Sequence, residues 1–205
     1  MNATEPATDA TLLVVGLGNP GASYAATRHN VGQMVLDRIA AQTGGRFKAA
    51  RRGPAVVIEG RMGLPGAGAR TILAKSTGYM NTSGGPVSSL AAFYRVDPAH
   101  VIVVHDEVDL PFGTLRLKIG GGEGGHNGLR DITKALGTKD YLRVRVGVGR
   151  PPGRQDTADY VLSPFRPAER RELDLVLDEA ADAVEQLVLE GLTAAQQTVH
   201  SREAR

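Results

Sequence analysis

A chain of 205 residues with 41% apolar content can bury one sizeable core, and no apolar run in it approaches the ~20 residues of a membrane span. It has no cysteine, which excludes disulfide and thiolate chemistry and agrees with a reducing cytoplasm, the expected location. Net charge is only +2, but residues 116–154 carry nine Lys/Arg against three acids, and residues 155–205 carry five against eleven. The basic window is fit for a phosphate-bearing partner, and the acidic one reads as a solvated helix face.

The opening MNATEPATDA has neither a basic start nor an apolar centre. It is expected to be a disordered tail (1–10) ahead of one domain (11–200), not a signal peptide. A strand is predicted at 12–16, LLVVG, running into Gly16, Gly18 and Gly21. This spacing satisfies G-x-G-x-x-G, but a dinucleotide site needs a helix to open at the turn, and here Pro20 and a polar run to Arg28 intervene. A nicotinamide enzyme is therefore disfavoured. Val31, Met34, Val35 and Ile39 predict a helix over 30–42, with Asn30 as its N-cap and Gln33 as capping-box partner.

Strands follow at 55–59 and 70–75, around a Gly/Pro-rich loop at 60–68, then a helix at 86–95 and strands at 101–105 and 114–119. Next come a helix at 127–136 capped by Asn127, a strand at 143–148 and a loop at 149–167. Leu173, Leu177, Ala180, Val184 and Leu187 stripe a helix over 168–190, and a short final helix is expected over 192–200. This alternation predicts an α/β fold with helices on both faces of a sheet.

Such sheets place ligands beyond the carboxyl ends of their strands. Three predicted strands end in polar groups: Gly18-Asn19-Pro20, the run Ser76 to Asn81, and Asp106-Glu107. His29 stands just ahead of a helix start, where the dipole disfavours imidazolium and a nearby carboxylate would favour it, which suits a base near neutral pH. Asp106 can accept from one ring nitrogen and leave the other to take a proton from water. The structural alternative is a capping or packing histidine. Within KIGGGEGGHNGLRDI (118–132) the glycines predict a mobile flap or a backbone anion cradle, and His126 is read as orienting the turn. The five histidines form no close ligand pair, so no metal is expected unless distant residues meet, and no serine sits in a G-x-S-x-G elbow.

Taken together, GLGNPGASYAATRHNVG (16–32), KSTGYMNTSGGPV (75–87), HDEVDLPFGTLRLKIGGGEGGHNGLRDI (105–132) and RVRVGVGRP (143–151) resemble bacterial peptidyl-tRNA hydrolase. The resemblance implies a single-domain, mixed, mostly parallel twisted sheet. It also implies a monomeric esterase without metal or cofactor that recycles tRNA from prematurely released peptidyl-tRNA, engaging its acceptor stem and 3′ end. By the same resemblance His29 activates water, Asp106 is its partner and Asn19 positions water and substrate. Asn81 and Asn127 hold the peptide, while Tyr24 and Met80 line the cleft. Lys118 and Arg145 grip the tRNA 5′ phosphate, with Arg116 and Arg143 expected to extend that positive surface. Glu123 departs from the pattern, standing where other members can carry a histidine. The alternative is a non-catalytic RNA-binding relative, which a large exposed apolar patch would favour.

Overall fold

The computed structural model describes residues 10–64 and 68–201, so nearly all of the expected N-terminal tail lies outside the described residues. Seven strands, β1 (Leu12–Gly16), β2 (Lys48–Ala49), β3 (Ala55–Met62), β4 (Ala69–Ser76), β5 (Val101–Glu107), β6 (Leu115–Ile119) and β7 (Leu142–Gly147), form one sheet. Their order is β2-β3-β4-β1-β5-β7-β6. The central strands β4, β1, β5 and β7 are parallel, and the edges, β2–β3 and β6, run antiparallel.

Helices α1 (Val31–Thr43), α2 (Gly84–Tyr94), α3 (Asn127–Leu136), α4 (Thr157–Val161) and α5 (Pro167–Ser201) complete the described fold. Successive side chains of a strand point to opposite faces. Leu12 and Val14 therefore join Val35, Leu36 and Val184 under α1 and α5. Leu13 and Val15 join Leu90 and Ile132 under α2 and α3. A strand covered on both sides must be apolar on both, which is why β1 and the start of β5 read as unbroken hydrophobic runs.

Three expectations need correction. The 60–68 segment is not all loop, because Gly60, Arg61 and Met62 pair with Thr71, Arg70 and Ala69 and carry β3 onward. The 149–167 segment contains α4, started by Asp156, whose carboxylate accepts from Ala158 N–H at 2.8 Å. β2 was not foreseen, since two residues hold no readable alternation. The division of the C-terminal helix is present: Gly191, at φ 78° and ψ 176°, breaks α5 where the two stretches were expected to part. No helix among the described residues is long and apolar enough to cross a membrane.

One close approach places the site. A Cβ on Gly32 would lie 2.2 Å from the Val104 carbonyl oxygen and 2.7 Å from Leu17 N, and one on Gly16 would lie 2.4 Å from the Gly32 carbonyl. Two glycines thus let the start of α1 lie directly on β1 and β5, which brings His29 over the strand ends.

Candidate active site

Asn19 follows β1, and its backbone is fixed from both sides by one side chain. Its N–H donates to Asn30 Oδ1 and its carbonyl accepts from Asn30 Nδ2, both at 2.9 Å. Asn30 stands at the N-cap position of α1 but makes no capping bond, and Gln33 donates to the carbonyls of Gly18 and Ser76 instead of closing a capping box. The expected cap is therefore corrected: both side chains are spent on the loop that carries Asn19. Asn19 Oδ1 in turn accepts from Met80 N–H at 2.8 Å. That bond ties the ends of β1 and β4 together and leaves the Asn19 NH2 for the cleft.

Asp106, near the end of β5, is buried and receives two imidazoles on one oxygen. His29 Nδ1 lies 2.9 Å and His126 Nε2 3.0 Å from Oδ1. Burial by itself would raise the Asp106 carboxyl, but the facing imidazoles, His126 first and then His29, outweigh it by electrostatic attraction and hydrogen bonding and hold the group well below the usual carboxylate range. With Asp106 ionised, both facing nitrogens donate. His29 lines the cleft, and Nδ1 is the ring nitrogen it turns to Asp106. The two rings lie 4.8 Å apart, centroid to centroid.

His126 was read too modestly, and Asn127 is not the cap of α3. Nδ1 of His126 accepts from the N–H groups of Gly128 and Leu129, at 3.2 and 3.3 Å, so His126 caps the helix and Asn127 is its first residue. These amides require an unprotonated Nδ1, which puts the proton on Nε2, facing Asp106. Local cap preferences could not reveal this, because the deciding partner lies 20 residues away. His105 is buried beneath the pair. Burial first, then the neighbouring His126, pushes it down to about 3, so it stays neutral.

His29, Asp106 and His126 are also the set that could hold a metal ion, with ligand atoms within 4.8 Å of one another. Distant residues do meet, as the sequence left open. Their facing atoms, however, are joined by hydrogen bonds through two protons that an ion would have to displace.

A cleft of about 1050 Å³ opens over these groups, lined also by Tyr24, Met80, Asn81 and Asn127. Met80 is buried, whereas Asn81 and Asn127 present their amides at the surface. Tyr79, missed in the sequence, is 58% exposed at the rim and packs edge-on to Tyr24 at 6.4 Å.

The four basic residues share one sheet face, with Arg116 opposite Arg145 and Lys118 opposite Arg143. They do not share a role. Arg143 is 2% exposed and cannot extend a positive surface. Its guanidinium donates to the carbonyls of Gly122 and Gly121, at 2.7 and 2.9 Å, and packs on Tyr141. The start of the glycine run therefore offers its carbonyls to a cation, which is the reverse of an anion cradle. Arg145 is partly exposed and donates through Nε to Glu107 at 3.0 Å. Partial burial, then the charges of Arg143 and Arg145, lowers the Lys118 ammonium below its ordinary value.

Comparison with known proteins gives one answer. The family model described as peptidyl-tRNA hydrolase matches residues 13–205. A peptidyl-tRNA hydrolase of Pseudarthrobacter chlorophenolicus is 67% identical over 93% of this chain and 95% of its own length. One from Rhodococcus erythropolis is 61% identical over 93% and 98%. The crystal structure of peptidyl-tRNA hydrolase from Acinetobacter baumannii superposes with a TM-score of 0.79 at 34% identity, covering 90% of this chain and 91% of that one. The fold, the cleft and these relatives agree, and the chain belongs to the peptidyl-tRNA hydrolase family.

Proposed function

We propose that this protein hydrolyses the ester joining a peptide to the 3′-terminal ribose of tRNA, with His29 as general base. The observation that carries the reading is the His29–Asp106 pair at 2.9 Å, with its second ring nitrogen facing a cleft. His29 Nε2 takes a proton from water as the oxygen attacks the ester carbonyl, then returns it to the departing ribose oxygen. Asp106, ionised and buried, stabilises the imidazolium between the two steps. The Asn19 NH2 is placed to donate to the attacking water or to the developing oxyanion.

An ester leaves more readily than an amide, so one oriented base suffices. The amides of Asn81 and Asn127 can donate to a peptide carbonyl and accept from its N–H. A free α-ammonium offers no such pairing, so unacylated aminoacyl-tRNA leaves polar groups unmatched and is rejected. Lys118 and Arg145 bind backbone phosphate at the acceptor stem, which positions the substrate without reading sequence. The protein acts as a monomer in the cytoplasm.

The test is release of tRNA from N-acylated aminoacyl-tRNA in the presence of chelator. His29→Ala is expected to lower turnover by about 10²–10⁴ while tRNA affinity persists. Near-normal turnover in the variant would sink the assignment.

A further inference from the structure

A second cationic surface lies at the opposite edge of the sheet from Lys118. The run RFKAARR (46–52) holds Arg46, Lys48, Arg51 and Arg52 and no acid. All four side chains are exposed, and among the described residues none of them forms an ion pair. Phe47 is the anchor of the run: it is half-buried, packs against the core, and carries Lys75 Nζ 4.2 Å above its ring. Lys75 is itself neutralised by Asp37. The acid facing this region is Glu59, which accepts from Tyr94 OH at 2.8 Å. One carboxylate against four cations leaves a net positive strip.

One end of the strip stands at the same end of the sheet as the cleft. Arg51 and Arg52 occupy the turn between β2 and β3, at the carboxyl end of β4, where Ala55 pairs with Ser76 and the Pro54 carbonyl accepts from Thr77 N–H at 2.9 Å. Three residues further on, Met80 and Asn81 form the cleft wall. Strands lie about 4.8 Å apart, so this turn stands about three spacings, roughly 14 Å, to one side of β5, and Lys118 on β6 stands two spacings to the other.

We infer that Arg51 and Arg52, with Lys48 and Arg46 behind them, form a second RNA-backbone contact, gripping phosphates of the bound tRNA across the cleft from Lys118. This rests on the peptidyl-tRNA reading above. A polyanion whose 3′ end enters the cleft meets positive charge on both flanks, and unpaired exposed arginines give up no internal ion pair when they take a phosphate.

The experiment compares wild type with the double variant Arg51→Gln/Arg52→Gln in two assays. The first is binding of deacylated tRNA over a range of salt, which reads the contact whether or not hydrolysis occurs. Expected are an affinity loss of about ten-fold and a log–log salt slope shallower by about 1.5. The second is hydrolysis of N-acetylaminoacyl-tRNA beside the same ester on a CCA trinucleotide. KM should rise on the tRNA substrate only, with kcat and trinucleotide turnover unchanged. An unchanged salt slope overturns the contact, as does an equal loss on both substrates. Failure of wild type to cleave either ester would instead refute the peptidyl-tRNA reading, while the binding slope still judges the contact.

Discussion

At the scale of single residues the site is built on one buried carboxylate oxygen shared by two imidazoles. Replacing Asp106 by Asn keeps an oxygen for both donors but removes the charge that compensates the imidazolium. Turnover of Asp106→Asn should fall by about 10²–10⁴ with little change in tRNA binding, measured by single-turnover kinetics beside filter binding. His105 sets a different test. Its folded value of about 3 lies below the ordinary 6.5, because burial keeps the ring neutral. On acidification the unfolded chain takes up this proton from about pH 6.5 downward, and the folded chain refuses it until about pH 3. Stability should therefore fall as pH drops through that window, by about 1.4 kcal/mol per pH unit from this residue. His105→Asn retains a donor at the Nδ1 position for the Asp106 carbonyl and should flatten the pH dependence of the urea midpoint between pH 6.5 and 4. An unaltered slope would mean that His105 is not the excluded proton site.

At the scale of elements, close packing and anchored loops decide what the residues can do. Gly32→Ala would press a methyl carbon onto the Val104 carbonyl oxygen and Leu17 N, both backbone atoms that cannot swing aside. A loss of about 3 kcal/mol is expected, with a lowered Tm and reduced turnover as α1 is lifted from the strand ends. Arg143→Met would release the carbonyls of Gly121 and Gly122, so amide exchange across 120–126 should quicken while the sheet core stays protected. Exchange as slow as the core in both proteins would rule out a mobile glycine segment.

The central strands, the long helices and the Gly191 break were legible because burial on two faces, a helical stripe and a positive φ each leave a local mark. The gathering of the candidate residues was legible as well: Asn19, His29 and Asp106 stand at strand ends and a helix start, and all three line one cleft. Side-chain partners were not. Asn30 and Gln33 have the pattern of a cap, yet they hold the Asn19 loop. Arg143 and Arg145 alternate onto one face, yet only the first is covered, by Tyr141 and the glycine run. Such choices depend on atoms far along the chain, which no spacing rule reports.

At the scale of the whole molecule, function follows from where charge is left uncancelled. The acids of α5 are partly spent inside the fold, with Glu169 on Arg28 and Asp174 and Asp178 on Arg38. The β6–β7 edge sets Arg116 opposite Arg145 and Lys118 opposite Arg143. Arg145 gives Nε to Glu107, which orients the guanidinium; under the proposed function its terminal nitrogens are the ones that meet phosphate. Lys118 is partly buried beside Arg143 and Arg145, which lowers its ammonium below the ordinary value. Replacing both by Ala should flatten the log–log salt slope of tRNA binding by about 1.6 and leave kcat on a trinucleotide ester intact. Glu107→Gln, which preserves an acceptor for Nε but removes the competing charge, should tighten tRNA binding at low salt. A double variant with an unchanged slope would mean that these cations serve the fold alone. The tRNA would then be held from the Arg51–Arg52 side, a division of labour that the two salt slopes, measured on the same tRNA, separate directly.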